Sequence, residues 1–275
     1  MLRSNYAQVR QDRMSLEDWM DLDSAQAFLD VGCNVGGLLQ GVSQLRPAMR
    51  LAGVEVNRDA IIEAQRVLPA ASLHVCGAEA MPFGDAEFDC ITCIEVLEHI
   101  PAALRRPALQ EIFRVLKPGG QLMLQVPHAG AFAWLDPGNA RFRFPKLYSR
   151  LVHRGLRDDG LQERAEGVLW HHHFSIDELE ALTAGLFTTR RVHHGGLILC
   201  PLSDLARWPF YRLKVFNGSL FHALCKLAAW DLNRDYGRRS YDVRLLLEKP
   251  RTEASALPAV TGLPFSRSAD HRARG

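Results

Sequence analysis

Between Ala27 and Val126 short apolar runs alternate with segments of helical spacing, and no other feature of the chain restricts its fold so strongly. Ala27-Phe28-Leu29-Asp30-Val31 reads as a buried strand running into a glycine-rich turn, after which Leu38 to Leu45 continues at helical spacing. Leu51 to Val56 is a second strand. Asn57 can cap a helix through Ile61, Ile62 and Leu68, which Pro69 ends. Leu73 to Cys76 is a third strand, and Phe88 to Ile94, rich in β-branched and aromatic residues, a fourth. A helix over Ala108 to Leu116 stops at Lys117-Pro118-Gly119-Gly120, which supplies a cation, a breaker and residues free to take positive φ. Gln121 to Val126 is a fifth strand. Strands separated by helices in this way form a parallel sheet covered on both faces.

The pattern loosens outside that region. The opening segment to about Ala25 reads as one or two short helices, and residues 128–170 as an insertion or lid. Ser175-Ile176-Asp177-Glu178 is a capping box that opens a helix to about Ala184. Thr188 to His193 and Val243 to Lys249 are two further strands, and Leu205 to Trp230 between them is apolar, aromatic and basic. From Pro250 the chain is polar and arginine-containing, the composition of a disordered tail. The expected organisation is an N-terminal helical segment (1–26), a cofactor-binding core (27–127), a lid with the final strands (128–249) and the tail (250–275).

The 275 residues suit one large domain or one domain with an appendage. Thirty-three Lys and Arg against 31 Asp and Glu leave a net charge of +2, short of the basic excess of a phosphate-binding nucleic-acid protein, and no nucleic-acid partner is expected. No apolar run approaches the roughly 18 residues that span a bilayer. The N-terminal stretch carries acids and lacks the apolar core of a secretory signal. Six cysteines scattered among strand-like segments read as reduced thiols, so the expected location is the cytoplasm, with the inner membrane face as a peripheral option.

The chemistry concentrates in Asp30-Val31-Gly32-Cys33-Asn34-Val35-Gly36-Gly37, which follows a strand and opens a helix. Glycines there let the backbone turn sharply and approach a ligand closely, and the helix start offers uncommitted N–H groups. Glu55 ends the second strand, 19 residues after Gly36, where an acid can accept hydrogen bonds from both ribose hydroxyls. Taken alone, this pair indicates a nucleotide-containing cofactor and leaves its kind open.

The chain resembles the class I S-adenosylmethionine-dependent methyltransferases, in particular the branch of small-molecule and quinone-biosynthesis enzymes. Four pieces carry the resemblance in order: Phe28-Leu29-Asp30-Val31-Gly32-Cys33; Gly53-Val54-Glu55; Ala78-Glu79-Ala80-Met81-Pro82-Phe83 followed by Phe88-Asp89-Cys90-Ile91; and Glu95-Val96-Leu97-Glu98-His99-Ile100 with Arg114-Val115-Leu116-Lys117-Pro118-Gly119-Gly120. It covers about residues 25–127 and returns weakly at 171–196. It implies a Rossmann-like, doubly wound, mostly parallel seven-stranded sheet whose last hairpin is partly antiparallel, helices on both faces, an inserted acceptor region, and S-adenosylmethionine as cofactor. By the same resemblance the turn Gly32, Cys33, Asn34 and Gly36 packs against the methionine half of the cofactor, and Asp30 orients the turn. Glu55, with Val56 beside it, takes the ribose. Gly77, Ala78 and Glu79 face the adenine, and Ile94 and Glu95 flank the methyl-transfer zone. Two positions depart from the family. Asn34 stands where the turn's middle glycine is usual, and tolerates left-handed backbone. Gly77 stands where an adenine-binding Asp is frequent, a contact that Glu79 or a backbone carbonyl can replace.

Methyl transfer from a sulfonium is an in-line displacement for which the protein mainly aligns the partners, adding a base where the acceptor is a weak acid. His128, just past the fifth strand, is the first base candidate, and His99 the second, with a positioning role as its competing reading. His171-His172-His173 does not have zinc spacing, and consecutive residues point different ways, so no metal site is expected. Cys90 and Cys93 read as core residues. Arg141, Arg143 and Lys146 suit either an acceptor phosphate or carboxylate or a solvated loop. The interleaved aromatic and basic residues of Trp208 to Trp230 suit a helical lid or an interfacial helix on a membrane or lipid-linked acceptor. The expected activity is O-methylation of a small-molecule, sugar or lipid-linked acceptor. The competing readings are a cofactor-binding relative without turnover and a nicotinamide-dependent oxidoreductase.

Overall fold

The computed structural model describes residues 16–136, 172–213 and 218–251, with the backbone alone for 204, 208, 209 and 211–213. Seven strands form one sheet: β1 (Ala27–Val31), β2 (Arg50–Glu55), β3 (Ser72–Val75), β4 (Phe88–Ile94), β5 (Leu116–Pro127), β6 (Thr188–His193) and β7 (Asp242–Glu248). Their spatial order is β3-β2-β1-β4-β5-β7-β6. The first five strands are parallel, and β7 runs antiparallel between β5 and β6. The order reverses between β1 and β4, so a crevice opens outside the carboxyl ends of those two strands.

The helices among the described residues are α1 (Gly37–Leu45), α2 (Arg58–Val67), α3 (Ala102–Val115), α4 (Ile176–Thr183), α5 (Leu199–Leu213) and α6 (Ser219–Leu232). Alternating side chains of each strand supply two cores on opposite sheet faces, as the period-2 pleat requires. Phe28, Cys90, Met123 and Leu246 join Leu38, Leu39 and Val42 of α1 and Ile61 of α2, with Trp19, Met20 and Leu22 of the N-terminal segment on the same side. Leu29, Val31, Ile91, Leu122, Leu124 and Val243 join Leu109, Ile112 and Val115 of α3 and Leu179 of α4.

The family-like segments prove to be joints between these elements. Asp89 accepts from the N–H groups of Gln26 and Ala27 at 3.0 and 2.9 Å and from Lys117 Nζ at 2.7 Å. It thereby ties the start of β1 to β4 and β5. Arg114 at the end of α3 binds Glu111, Asp85 and the carbonyl of Met81, while Glu111 accepts from the Met81 N–H. The Arg114 to Gly120 segment thus anchors the loop after β3.

Four local details differ from the sequence expectation. Strand β5 begins at Leu116, five residues before the expected Gln121, so Lys117-Pro118-Gly119-Gly120 lies within the strand. Helix α3 begins at Ala102, six residues before the expected Ala108, and carries Pro107 inside it. A proline there costs one backbone bond, and the buried face formed by Ala108, Leu109 and Ile112 compensates. The capping box is half made: Ser175 Oγ accepts from the Glu178 N–H at 3.1 Å, but the Glu178 carboxylate turns to His172 and Arg105. The segment 205–230, for which the sequence leaves a helical lid and an interfacial helix both open, contributes to two helices, α5 and α6. At the N-terminus the described residues hold one 3-10 turn, Leu16–Asp18. Arg141, Arg143, Lys146 and His171, and the tail from 252, lie outside the described residues.

Candidate active site

Every expected site residue lies at the carboxyl edge of the sheet or just beyond it. After β1 the chain turns through three left-handed residues, Gly32 at φ 77°, Asn34 at φ 48° and Gly36 at φ 78°. The Gly32 and Cys33 N–H groups bond the Val54 carbonyl of β2 at 2.8 and 3.0 Å. A Cβ on Gly32 would lie 2.2 Å from Val96 Cγ2, so backbone freedom and close packing both require glycine there. Asn34 holds its geometry with its own side chain, its Oδ1 accepting from the Val35 N–H at 2.7 Å. Cys33 departs from the expected contact: its side chain is buried at 1% exposure in the core beside Gly53. Only its backbone belongs to the turn's ligand face.

Asp30 is buried at 1% exposure within β1 and accepts from Thr92 Oγ1 of β4 at 2.8 Å. Glu55, at the end of β2, accepts from the N–H groups of Asn34 at 3.2 Å and Asn57 at 3.0 Å. The carboxylate thus joins the first turn to the cap of α2, where Asn57 Oδ1 accepts from Asp59 and Ala60. Two carboxylate oxygens offer about four acceptor sites, which leaves room for a diol. Val56 next to it is exposed.

After β3 the Glu79 side chain folds back over Gly77. A Cβ built on Gly77 would meet Glu79 Oε2 at 2.3 Å and Oε1 at 2.6 Å. The carboxylate therefore fills the space that a longer residue 77 would use. Ala78 beside it is buried. Beyond β4, Ile94 is buried and Glu95 takes left-handed backbone at φ 56°. Such geometry in a glutamate costs on the order of 1–2 kcal/mol and persists only where surroundings impose it.

What imposes it is a polar cluster absent from the sequence reading. The Glu95 N–H bonds the Gln125 carbonyl at 3.0 Å, and its carboxyl is hydrogen-bonded to that of Asp242 at the start of β7. Gln125 Nε2 donates to Asp242 Oδ2 at 3.1 Å, and Arg244 Nε donates to Gln125 Oε1 at 3.0 Å. Burial, followed by the neighbouring Glu95 charge, raises the Asp242 carboxyl well above the ordinary range. Asp242 escapes a sequence reading because β7 is antiparallel: its first residue, not its last, reaches the site edge.

His128 follows β5 and is buried at 4% exposure. Its Nδ1 lies 2.8 Å from Ser240 Oγ and 3.2 Å from the Ser240 carbonyl. A carbonyl only accepts, so the bond to it places the proton on Nδ1 and the lone pair on Nε2. Burial lowers the His128 pKa, the Ser240 bond opposes this, and nearby His194 and His173 lower it further. The ring is thus a neutral imidazole near pH 7. His99 sits differently, on the 3-10 turn Leu97–His99, with a 40% exposed side chain whose Nε2 is 3.7 Å from the buried Glu98 carboxyl.

His172 and His173 diverge, His172 to Glu178 at 3.0 Å and His173 to Asp136 at 3.3 Å. Cys90 and Cys93 are buried side chains of β4. Burial pushes the Cys90 thiol up to about 12 and the Cys93 thiol higher still, which suits packing rather than reactivity.

Residues 29–124 match the family model of a methyltransferase domain. The "O-methyltransferase cnsE" of Penicillium expansum is 35% identical over 126 residues, 43% of this chain and 45% of that protein. A "Ubiquinone biosynthesis O-methyltransferase" of Pseudomonas putida (strain GB-1) is 31% identical over 133 residues, 43% of this chain and 53% of that protein. The chain thus spans about half the length of the curated relatives it matches. A S-adenosylmethionine-dependent methyltransferase structure from Methanosarcina mazei superposes with a TM-score of 0.52 at 18% identity, covering 86% of this chain and 96% of that one. The [4+2]-cyclase SpnF gives 0.53 at 19%, covering 88% and 80%. At such identities these two establish the fold alone, and the pair shows that the fold serves more than one reaction. Family match, strand order and glycine turn agree: residues 29–124 are similar to a methyltransferase domain, set in the fold of the S-adenosylmethionine-dependent methyltransferase structure.

Proposed function

We propose that the protein transfers a methyl group from S-adenosylmethionine to a hydroxyl of a small-molecule acceptor. The observation that carries this reading is the meeting, at one sheet edge, of a left-handed glycine turn, the ribose-type acid Glu55 and a buried neutral histidine. In this reading the Gly32–Gly36 backbone cradles the methionine half of the cofactor and Glu55 holds its ribose. The Glu79 carboxylate, lying over Gly77, takes the adenine amino group. When bound, the cofactor supplies an electrophilic methyl group on a sulfonium. His128 Nε2 accepts the acceptor's hydroxyl proton, Ser240 keeps the ring in the tautomer that permits it, and the hydrogen-bonded Glu95–Asp242 pair borders the transfer zone. His99, an exposed side chain on an otherwise buried turn, serves position rather than chemistry. The relatives named as O-methyltransferases support oxygen as the methylated atom; a sugar, quinone-like, polyketide or lipid-linked acceptor fits equally.

The test is methyl transfer from methyl-labelled S-adenosylmethionine to a panel of phenolic, sugar and lipid-linked hydroxyl acceptors. The reading expects a labelled product, a kcat lowered about 100-fold or more in His128→Ala, and unchanged S-adenosylhomocysteine affinity. A variant turning over at the full rate would remove His128 from the mechanism.

A further inference from the structure

Between β6 and β7 the chain makes a helical hairpin whose outer surface the catalytic reading leaves unused. Helix α5 leaves from the carboxyl end of β6, and α6 returns to the first residue of β7. Since β6 runs antiparallel to β7 and β7 antiparallel to β5, both connections lie at the site edge. The hairpin is built from within. Phe221, Cys225, Ala228 and Leu232 of α6 are buried, Phe210 of α5 packs on Phe221 at 5.8 Å between ring centres, and Arg207 Nη1 reaches Cys225 Sγ at 3.4 Å.

The opposite side of α6 is also apolar. Leu220, Ala223, Leu227 and Trp230, at helical spacing, share an exposed arc, with Leu220 60%, Leu227 40% and Trp230 48% exposed. On α5, Leu202 and Leu205 are 42% and 54% exposed. A soluble helix ordinarily places charge here. The charges that flank the arc are mostly cations, with Asp235 the one exposed acid in the turn after α6. Lys226 and Arg234 lie on its borders, Arg234 stacks 3.9 Å over the Trp230 ring, and the following turn adds exposed Arg238 and Arg239. Helix α6 has a single acid, Asp231, buried and accepting from the N–H groups of Leu197 and Cys200. An apolar stripe with an aromatic residue at its end and cations at its rim is complementary to an anionic bilayer surface. A second copy of the chain would meet the same cations, and like charges oppose that pairing. No helix among the described residues is long and apolar enough to cross a membrane, so the hairpin would lie on the surface.

We propose that the α5–α6 hairpin docks the protein, through Leu220, Leu227 and Trp230 of α6 and Leu202 and Leu205 of α5, on an anionic lipid surface. The docked face continues to the site: the turn after α6 packs its Arg239 and Ser240 backbone against Gly130 and Ala131, directly behind His128. That turn links the docked hairpin to the segment that carries His128. Docking does not depend on methyl transfer and is read without turnover.

The experiment is flotation with vesicles of phosphatidylcholine alone and of phosphatidylcholine with phosphatidylglycerol. Trp230 fluorescence is read in parallel against a Trp230→Phe background, with S-adenosylhomocysteine binding as the check on folding. Co-flotation with the phosphatidylglycerol vesicles, weakened by salt, is expected. Lys226→Glu and Arg234→Glu each reduce the vesicle affinity at least about fivefold. Leu227→Ser with Trp230→Ser abolishes flotation while cofactor binding persists. Failure to float, equal binding to both vesicle types, or a concentration-dependent dimer in which Trp230 is shielded would each overturn the proposal.

Discussion

At the residue scale His128 shows how surroundings choose a protonation state. Burial disfavours its charged form, and Ser240 fixes which nitrogen carries the proton. A base must be neutral to act, and a lowered pKa keeps it neutral further into acid. The acidic limb of kcat/KM is therefore expected below histidine's ordinary value of about 6.5. The same group contributes stability that is present above its unfolded pKa and lost as the pH falls through the lowered folded value. A pH–rate profile with its limb at or above 6.5, unchanged in His128→Gln, would contradict the assignment. Residue-scale geometry also separates members of one motif: Gly32 needs its left-handed backbone and its missing Cβ, whereas neighbouring Cys33 turns into the core.

At the scale of elements, the segments that make the chain look like its family are largely mechanical. Asp89 joins two strand starts and Lys117. Burial would raise its pKa, but the hydrogen bonds from Lys117, Gln26 and Ala27 hold it below the usual carboxylate range. Removing it leaves two backbone donors without their acceptor. Asp89→Ala should lower the unfolding free energy by about 1–3 kcal/mol in denaturant titration, with cofactor affinity unchanged once the variant is folded. A loss of affinity at full stability would place Asp89 in the site instead. The strands and their helices were legible in the sequence because buried runs and the Asn57 cap are local signals. The start of α3 was not, since Pro107 reads as a boundary and only packing of the downstream face carries the helix back to Ala102. Nor was the Glu178 carboxylate: the local pattern assigns it to the cap, but His172 and Arg105 arrive from elsewhere in the chain to claim it.

At the scale of the molecule, the site is the product of topology. Five parallel strands bring the ends of β1, β2, β3, β4 and β5 to one edge, so Gly32, Glu55, Glu79, Glu95 and His128 could be placed together from sequence order alone. The antiparallel β7 adds Asp242, Arg244 and the preceding Ser240 from more than a hundred residues away, and no local pattern announces them. In the proposed reading the acceptor side of the site is built by the part of the chain outside the matched domain, which ends at residue 124. In the proposed reading the segment shared with relatives holds the cofactor, and the rest of the chain selects the acceptor. The central claim rests on the shared segment.

Calorimetric titration with S-adenosylhomocysteine and, separately, NAD tests that claim most directly, on the parent chain and on Glu55→Ala. The account predicts saturable one-site binding of S-adenosylhomocysteine, weakened roughly 10- to 100-fold in Glu55→Ala by loss of charge-assisted bonds to the ribose, and no heat with NAD. Binding of NAD alone, or S-adenosylhomocysteine affinity indifferent to Glu55, would contradict it.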